Sequence, residues 1–358
     1  MKSNAETDID PVEKAGLPTG AYPGGFRLGK GSMGSGRRRI LGPEGRSNAY
    51  HVMSRTAGGD MLFGEVEKEA FGRVMRRLER FAGVEILTYA VMGNHFHLLV
   101  RVPDREKFLR RFEGDGGEEL LLEHLKLLYS KPFITSLRAE LAELRKKGMH
   151  QPAEDLLERF RKRFCNLEIF VKELKERFSR WFNKHHGRKG TLWMDRYKSV
   201  LVEDGEALRT MAAYIDLNPV RAGLCQDPKD YRWCGYAEAV AGSKRARRGL
   251  CRVLARPLDS WEEQPTKSDL TAGEWYRCWL FGEGLAVPDE SGRSNRRGMC
   301  LEEVRKVRES GGKLTRGQLL RCRVRYFSDG VAIGSQAFVE EVFAKRRECF
   351  GAKRKNGA

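Results

Sequence analysis

Two histidines separated by a single residue are the part of this sequence whose residue types and spacing most directly suggest chemistry. His95 and His97 flank Phe96 in the run His95–Val102, which is predicted to be a β-strand after the turn dipeptide Gly93–Asn94. Side chains at positions i and i+2 of a strand share a face, so both imidazoles would point the same way and Phe96 the opposite way. Two neighbouring imidazoles disfavour double protonation but can share a cation. The alternative is a pair of ordinary surface or core histidines.

A tyrosine and an asparagine four residues apart offer a second chemical pair. Tyr214 and Asn218 lie near the end of a predicted helix, Glu206–Leu217, which is ended by Asn218–Pro219 because a residue before proline avoids the α region. A tyrosine hydroxyl can attack phosphorus and form a phosphotyrosine ester. The carbonyl oxygen of Asn218 could be a third metal ligand beside two histidines. A core tyrosine and a helix-terminal asparagine are the simpler interpretation.

Basic and aromatic side chains follow the same two motifs. Arg196 and Lys198 fall on or beside a predicted strand, Trp193–Val202, and Arg221 follows the Tyr214 helix. These three could bind phosphates or could be solvated surface charges. Four aromatic residues nearby could stack on unpaired bases, although at least two of them are expected in the core: Trp193, Tyr197, Trp233 and Tyr236.

A second pair of histidines receives a different interpretation. His185 and His186 precede Gly187 at the end of a predicted amphipathic helix. We expect them to act as cations at the helix C-terminus rather than as metal ligands.

The elements that must position these residues follow the order β-α-β-β-insertion-α-β-α. The predicted strands and helices of the first part are Tyr50–Thr56, Val66–Phe81, Val84–Met92 and His95–Val102. A helical insertion at about 104–165 is followed by a helix with an apolar stripe from Leu167 to Phe182. The first four elements, strand, helix, strand and strand, are half of a split βαβ, or ferredoxin-like, sheet.

The charge of the chain favours a polyanionic partner. The formal net charge is +18 and hydrophobic residues make up 40% of the sequence, so a packed basic protein is expected. Nucleic acid is the commonest partner of such a protein. None of the 8 cysteines forms a C-x-x-C pair, which argues against a zinc ribbon and fits a reducing cytoplasm. No export signal and no apolar run of about 18 residues is present, so no membrane span is expected and a cytoplasmic, nucleoid-associated location is predicted.

The composition predicts three regions. Residues 1–48 are expected to form a flexible basic tail, and 49–242 the domain that holds the histidine and tyrosine motifs. Residues 243–358, which hold 25 Lys and Arg against 15 Asp and Glu, are predicted to form a mainly helical region that begins with a basic linker, Lys244–Arg256. Two predicted helices within residues 312–350 have the pattern of a helix-turn-helix, and a plain helical hairpin is the alternative: Arg316–Tyr326 and Ser335–Arg347.

Taken together, four segments in the same order resemble the HUH-type single-tyrosine transposases of the REP-associated tyrosine transposase group. The run Gly93–Val100 resembles the strand in which two histidines flank a hydrophobic residue, and Leu192–Tyr197 resembles the fourth strand. The segment Ala213–Leu224 resembles the nucleophile helix, and Asp230–Tyr236 resembles the closing segment that follows it. The resemblance covers Tyr50 to about Gly242, apart from the insertion.

The resemblance implies a fold, a site and a reaction. The implied fold is α+β, a ferredoxin-like HUH nuclease core with an antiparallel sheet and helices on one face. Tyr214 would be the nucleophile, with His95 and His97 as ligands of Mg²⁺ or Mn²⁺ and Asn218 as a third ligand. Imidazole ligands alone would suit Zn²⁺ better. The expected substrate is single-stranded DNA that contains hairpins, cut through a 5′-phosphotyrosine intermediate.

Other functions remain open at this point. The chain could be a DNA-binding repressor with an inactive nuclease core, or a domesticated enzyme that processes repeated hairpin elements without mobilising itself. The sequence also leaves open whether the protein forms a homodimer.

Overall fold

A computed structural model describes residues 40–263, 270–283 and 332–349. The chain divides into two compact units, Leu41–Val202 and Glu203–Ala358, the second together with Met1–Ile40. The contacts therefore divide the chain at Val202 and not at the predicted boundary near Gly242. No helix in the described part of the chain is long and apolar enough to cross a membrane.

The Leu41–Val202 unit is a mixed α+β unit with a four-stranded antiparallel sheet in the order β2-β3-β1-β4. Its strands are β1 (Asn48–Arg55), β2 (Glu85–Val91), β3 (His95–Val102) and β4 (Lys198–Val202). Its helices are α1 (Glu65–Ala82), α2 (Arg105–Leu109), α3 (Gly117–Leu125), α4 (Lys131–Lys146), α5 (His150–Arg161) and α6 (Leu167–His185).

Helices α1 and α6 lie on one face of this sheet. Phe96 of β3 points toward them, with its ring 4.8 Å from that of Phe71 in α1 and 5.5 Å from that of Trp193. Phe178 of α6 contacts Phe71 at a centroid separation of 5.1 Å. Because side chains alternate along β3, His95 and His97 lie on the opposite face of the sheet.

The helical spacing of Val66, Ala70, Val74, Leu78 and Phe81 predicts the inward face of α1. Ala70, Leu78 and Phe81 are buried as predicted, but the buried face as a whole is rotated toward Phe71 and Met75. Val66, predicted to face inward, is 54% exposed, whereas Phe71 and Met75 are fully buried. The helix ends at Gly83, whose φ of 68° lies in the left-handed region. A side chain at Gly83 would collide with the ring of Phe108, so glycine is required there for two reasons.

The predicted insertion is helical and forms α2 to α5. Its aromatic rings gather around the end of α1, where Phe81 packs 5.3 Å from Phe164. His124 of α3 donates from Nε2 to the carbonyl oxygen of Phe81 at 2.8 Å, and burial lowers the pKa of this histidine. The insertion is therefore built into the core of this unit and extends it.

The fourth strand is shorter than predicted. Trp193 forms only an isolated bridge to Thr56, and the regular strand begins at Lys198. The Trp193 indole is buried and donates from Nε1 to the carbonyl oxygen of Lys175 at 3.2 Å. The intervening residues 194–196 are exposed, so Arg196 precedes the strand and does not lie on it.

The end of the predicted basic tail is structured. The backbone N–H of Gly42 donates to the hydroxyl of Tyr50 at 2.8 Å, and the Asn48 side chain donates to the carbonyl oxygen of Pro43 at 2.9 Å. The prediction of a tail as far as residue 48 is therefore wrong at its last residues. Residues 1–39 of that tail lie outside the described part of the chain.

The second unit is mainly helical in its described part. Its elements are α7 (Glu206–Asp216), α8 (Asn218–Arg221), α9 (Gly235–Val240), α10 (Lys244–Val253), α11 (Ala272–Glu283), β5 (Ala332–Ile333) and α12 (Gln336–Lys345). The Glu203 backbone N–H donates to the carbonyl oxygen of Ile333 at 2.9 Å. Short 3₁₀ turns connect several of these elements.

The predicted basic linker Lys244–Arg256 is wrong. It is mostly the helix α10, capped by the Ser243 hydroxyl, which accepts a hydrogen bond from the Ala246 backbone N–H at 3.4 Å. Leu250 and Val253 are buried on one side of this helix. The basic residues that suggested a solvated linker are instead the polar face of an amphipathic helix.

Half of the predicted helix-turn-helix lies within the described residues. Helix α12 agrees with the predicted helix Ser335–Arg347, and the Ser335 hydroxyl caps it by accepting from the Phe338 backbone N–H at 3.2 Å. Val339 and Val342 are buried, as their spacing predicts. The other predicted helix, Arg316–Tyr326, lies outside the described residues, so the motif stays a prediction.

Candidate active site

The paired histidines of β3 are buried and close together. His95 is 8% exposed and His97 is 2% exposed. Their ring centroids are 5.0 Å apart and the rings are nearly perpendicular, at 87°. The predicted strand His95–Val102 has the same bounds as β3, so the expectation that both imidazoles share a sheet face is confirmed.

A third histidine, which the sequence analysis missed, supports this pair. His51 of β1 lies opposite Leu99, two residues beyond His97, and therefore projects from the same face of the sheet. Its Nε2 is 2.8 Å from Nδ1 of His97, and the two rings stack 5.1 Å apart at 13°. Because Nδ1 of His97 is engaged in this hydrogen bond, coordination of a metal by His97 would use Nε2.

Asn94 fixes the orientation of the other imidazole. The Asn94 side chain donates from Nδ2 to the carbonyl oxygen of Gly59 at 2.8 Å, which leaves Oδ1 as the acceptor facing His95. The distance from Oδ1 to Nδ1 of His95 is 2.6 Å. His95 Nδ1 therefore carries the proton, and Nε2 is the atom through which this ring would bind a metal.

The donor set of this face fits a divalent metal ion. A metal-binding histidine ordinarily has its second ring nitrogen hydrogen-bonded, and both His95 and His97 meet that condition. Within the described residues, no His, Cys, Asp or Glu completes a group of three ligands with this pair. A third protein ligand would therefore be of another type, such as an amide oxygen.

Tyr214 and Asn218 lie together at the junction of α7 and α8. Tyr214 is 3% exposed, and Asn218 is the first residue of α8, after the interruption that Pro219 imposes. The side-chain nitrogen Nδ2 of Asn218 is buried and has no hydrogen-bond partner among the described residues. Rotating the amide by half a turn would place Oδ1 there instead, which fits a metal ligand.

Arg221 contacts the predicted nucleophile directly. Its Nη1 donates to the backbone carbonyl oxygen of Tyr214 at 2.9 Å, and its guanidinium lies 5.1 Å from the centre of the Tyr214 ring. This contact closes the end of α7 and holds a positive charge over the tyrosine ring. The predicted role in phosphate binding would require the same guanidinium to face DNA.

The other predicted DNA contacts are exposed, whereas most of the predicted stacking residues are buried. Arg196 and Lys198 are exposed in the Leu41–Val202 unit. Three of the four aromatic residues that could have stacked on bases are buried, namely Trp193, Tyr197 and Tyr236. Trp233 is half-buried.

A buried carboxylate anchors the helix that carries Tyr214. Asp216 is fully buried, and its two oxygens accept hydrogen bonds from the Tyr236 backbone N–H at 3.1 Å and the Tyr276 hydroxyl at 2.6 Å. Burial, followed by the charge of Asp216, raises the pKa of Tyr276 well above its usual range, so this hydroxyl stays protonated and donates. The sequence placed Tyr276 in an undefined region and gave no sign of this contact.

Removing the hydroxyl of Tyr276 should destabilise the second unit. In Tyr276→Phe, the buried Asp216 carboxylate loses the hydroxyl donor, which costs about 2 kcal/mol of unfolding free energy. Urea unfolding followed by fluorescence measures the loss. Unchanged stability would mean that water or another donor replaces the hydroxyl.

The second histidine pair lies at the end of α6, as predicted. His186 is the C-cap residue, and its backbone N–H donates to the Phe182 carbonyl oxygen at 3.0 Å. Its ring Nε2 is 3.0 Å from Oε1 of Glu67 in the first turn of α1.

Comparison with known proteins gives a distant structural similarity. No protein-family model and no curated protein matches this sequence. Among solved structures, the chain is similar to a REP-associated tyrosine transposase bound to a REP hairpin, with 15% sequence identity and a TM-score of 0.36. The similarity covers 67% of this chain and 97% of that chain. A similarity this distant leaves the functional argument to the residues themselves.

Proposed function

We propose that the protein is a metal-dependent single-stranded DNA endonuclease and strand transferase of the HUH tyrosine type, with a ferredoxin-like catalytic core. The observation that carries the proposal is the pair His95 and His97, buried on one face of an antiparallel sheet with both Nδ1 atoms held by hydrogen bonds. With each Nδ1 engaged in this way, both rings would bind an ion through Nε2. Tyr214 and Asn218 lie in the segment whose sequence resembles the nucleophile helix of that family.

His95, His97 and Asn218 would hold Mg²⁺ or Mn²⁺, the ions implied by the resemblance. Such an ion, when bound, polarises the scissile phosphate and neutralises charge in the transition state. The amide of Asn218 adds the oxygen ligand that hard cations prefer, which moves the donor set away from Zn²⁺.

The proposed reaction is a transesterification in which Tyr214 is the nucleophile. The Tyr214 hydroxyl oxygen attacks the scissile phosphorus in line, forming a P–O bond as the bond from phosphorus to the 3′ oxygen breaks. The tyrosine proton is lost and the leaving 3′ oxygen gains one, giving a free 3′-OH and a 5′-phosphotyrosine. A 3′-OH of a second strand can then attack the same phosphorus and release Tyr214. The phosphotyrosine ester conserves the energy of the broken phosphodiester bond, so the joining step needs no nucleoside triphosphate.

The test is a cleavage assay on single-stranded oligonucleotides that contain hairpins, with Mg²⁺ or Mn²⁺. The proposal predicts a metal-dependent nick and a covalent protein–DNA adduct. A repressor with an inactive core would bind the same DNA without either product. A domesticated hairpin processor would give both products, and the presence or absence of flanking repeats around the gene would separate it from a mobile transposase.

His51 should control metal affinity without contacting the metal. In His51→Ala, His97 loses the partner of Nδ1, so we expect the metal concentration for half-maximal nicking to rise about tenfold to hundredfold. Affinity for the DNA measured without metal should stay the same. His51→Gln, which can still hydrogen-bond to His97, should recover part of the metal affinity. Identical metal dependence in wild type and His51→Ala would show that His97 is not a ligand.

The basic end of α12 should bind the duplex stem of a hairpin. Lys345 and Arg346 are exposed there, in the half of the predicted helix-turn-helix that is described. We expect the double variant Lys345→Ala, Arg346→Ala to bind a stem-containing hairpin several-fold more weakly and with a shallower salt dependence. It should still nick a short single strand.

The matched control removes two exposed positive charges from the insertion, in Lys146→Ala, Lys147→Ala. Equal weakening by both double variants would assign the effect to net charge alone. Unchanged binding in the α12 variant would assign the C-terminal region another role, such as oligomerisation.

A further inference from the structure

We infer that Glu67, His185 and His186 form a second metal site, distinct from the proposed catalytic one and suited to Zn²⁺. One ligand atom from each of the three residues lies within 4.8 Å of the other two. Such a group occurs nowhere else among the described residues. The sequence alone favoured a role for His185 and His186 as cations at the helix end and not as ligands, because Glu67 is far from them in sequence and only the packing of α1 against α6 brings the three together.

The geometry of the three side chains is close to that of a bound ion. In a tetrahedral zinc site with bonds of about 2.1 Å, ligand atoms are roughly 3.4 Å apart. Nε2 of His186 and Oε1 of Glu67 are already 3.0 Å apart, and the rings of His185 and His186 are nearly perpendicular, at 87°. Small rotations of the side chains would therefore close the site.

Neighbouring side chains hold the ligands in place. The His185 ring stacks on Trp181 at 5.0 Å and 11°, and the His186 ring lies 4.3 Å from that of Phe182. Each histidine thus rests on the aromatic residue four positions earlier, which limits the rotamers of both rings.

The carboxylate is buried and tightly enclosed. The Glu67 side chain is only 9% exposed. A β-carbon at Gly64 would come within 2.9 Å of Oε2 of Glu67, so the glycine leaves room for this carboxylate. A buried carboxylate requires a compensating positive charge. The positively charged side chain of Lys68 also interacts with the Glu67 carboxylate.

The C-terminal end of α6 favours a cation at this point, whereas the N-terminal end of α1 stabilises the Glu67 carboxylate. The C-terminal end of α6 carries a partial negative charge, which attracts a cation. Two imidazoles and one carboxylate match the donor preference of Zn²⁺, and three protein ligands leave one position for water. A bound ion would fasten the end of α6 to the start of α1, on the helical side of the sheet and away from the face of His95 and His97.

The test measures Zn²⁺ binding to the full chain after removal of any affinity tag. The reference protein carries His95→Ala and His97→Ala, which removes the proposed catalytic ligands. Equilibrium dialysis should then find one saturable Zn²⁺ per chain at this site, and Zn²⁺ at a hundredfold excess over Kd should raise Tm by on the order of 5 °C.

Single substitutions added to that reference assign the ion. Glu67→Gln and His186→Gln should each weaken Zn²⁺ binding at least tenfold and remove the Tm shift, whereas His150→Gln in the insertion should change neither. His185 is exposed, so His185→Gln tests the site at a position where a folding defect is not expected. A Co²⁺ spectrum without thiolate charge-transfer bands would exclude the cysteines as ligands. Zn²⁺ binding and a Tm shift that survive all three site substitutions would overturn the inference, as would the absence of saturable binding.

Discussion

Replacing Tyr214 by phenylalanine should abolish the covalent adduct and reduce nicking on the order of a thousandfold or more. Only the hydroxyl is lost, while the ring remains buried at 3% exposure and keeps its contact with Arg221. The fold and the affinity for DNA should therefore be unchanged. The measurement is the amount of DNA attached to the protein after denaturing electrophoresis.

Tyr231→Phe is the matched control for this substitution. Tyr231 follows the nucleophile segment and is also buried, and burial raises the pKa of its hydroxyl above the usual range. This variant should form the adduct at the wild-type rate. An adduct that persists in Tyr214→Phe would make another tyrosine the nucleophile, and Tyr197 and Tyr231 are the next candidates.

Loss of either histidine of β3 should have an effect of similar size. His95→Ala and His97→Ala each remove one proposed metal ligand, and we expect nicking to fall at least about a hundredfold. A chelator should have the same effect on the wild type. Nicking rates at several Mn²⁺ concentrations, with thermal unfolding as a check on folding, measure both effects.

The control for the histidine variants is His150→Ala. His150 is exposed at the start of α5 in the insertion, so its removal should leave nicking unchanged. Nicking that continues at full rate in the presence of a chelator would refute the metal role of His95 and His97. Both residues would then be structural, held by Asn94 and His51 for packing.

The local parts of the site could be predicted from the sequence. The turn at Gly93–Asn94 and the alternation of β3 are short-range patterns, so the shared face of His95 and His97 followed from them. The interruption of the Tyr214 helix at Asn218–Pro219 also followed from a local rule, although the chain resumes as α8 for four residues.

The missed residues depend on contacts that are distant in sequence. His51 supports His97 because β1 is the neighbour of β3, and strand order is a property of the sheet and not of either strand. The Asp216–Tyr276 hydrogen bond likewise joins residues of α7 and α11. Such pairs need the tertiary fold, which propensity and spacing do not provide.

The wrong prediction of a linker in the C-terminal region came from taking a run of basic residues as a solvated segment. The basic run in α10 hides an apolar face with Leu250 and Val253, and only its period of 3.6 residues distinguishes a packed helix from a linker. The packing of the C-terminal region also decides how its role in DNA binding is tested. Truncation after Gly242 would remove Tyr276, the partner of Asp216, so charge substitutions in α12 are the better test of DNA binding by this region.

The identity of the residue attached to DNA tests the central claim most directly. A library of hairpin oligonucleotides with randomised single-stranded flanks, each incubated with the full chain and Mn²⁺, supplies the substrate. Covalent complexes are isolated, digested with protease and nuclease, and analysed by mass spectrometry. We predict a 5′-phosphotyrosine ester on Tyr214, formed with Mn²⁺ and absent in the presence of a chelator. An ester on another residue, an adduct that forms without metal, or DNA bound throughout the library with no ester at all would contradict the account.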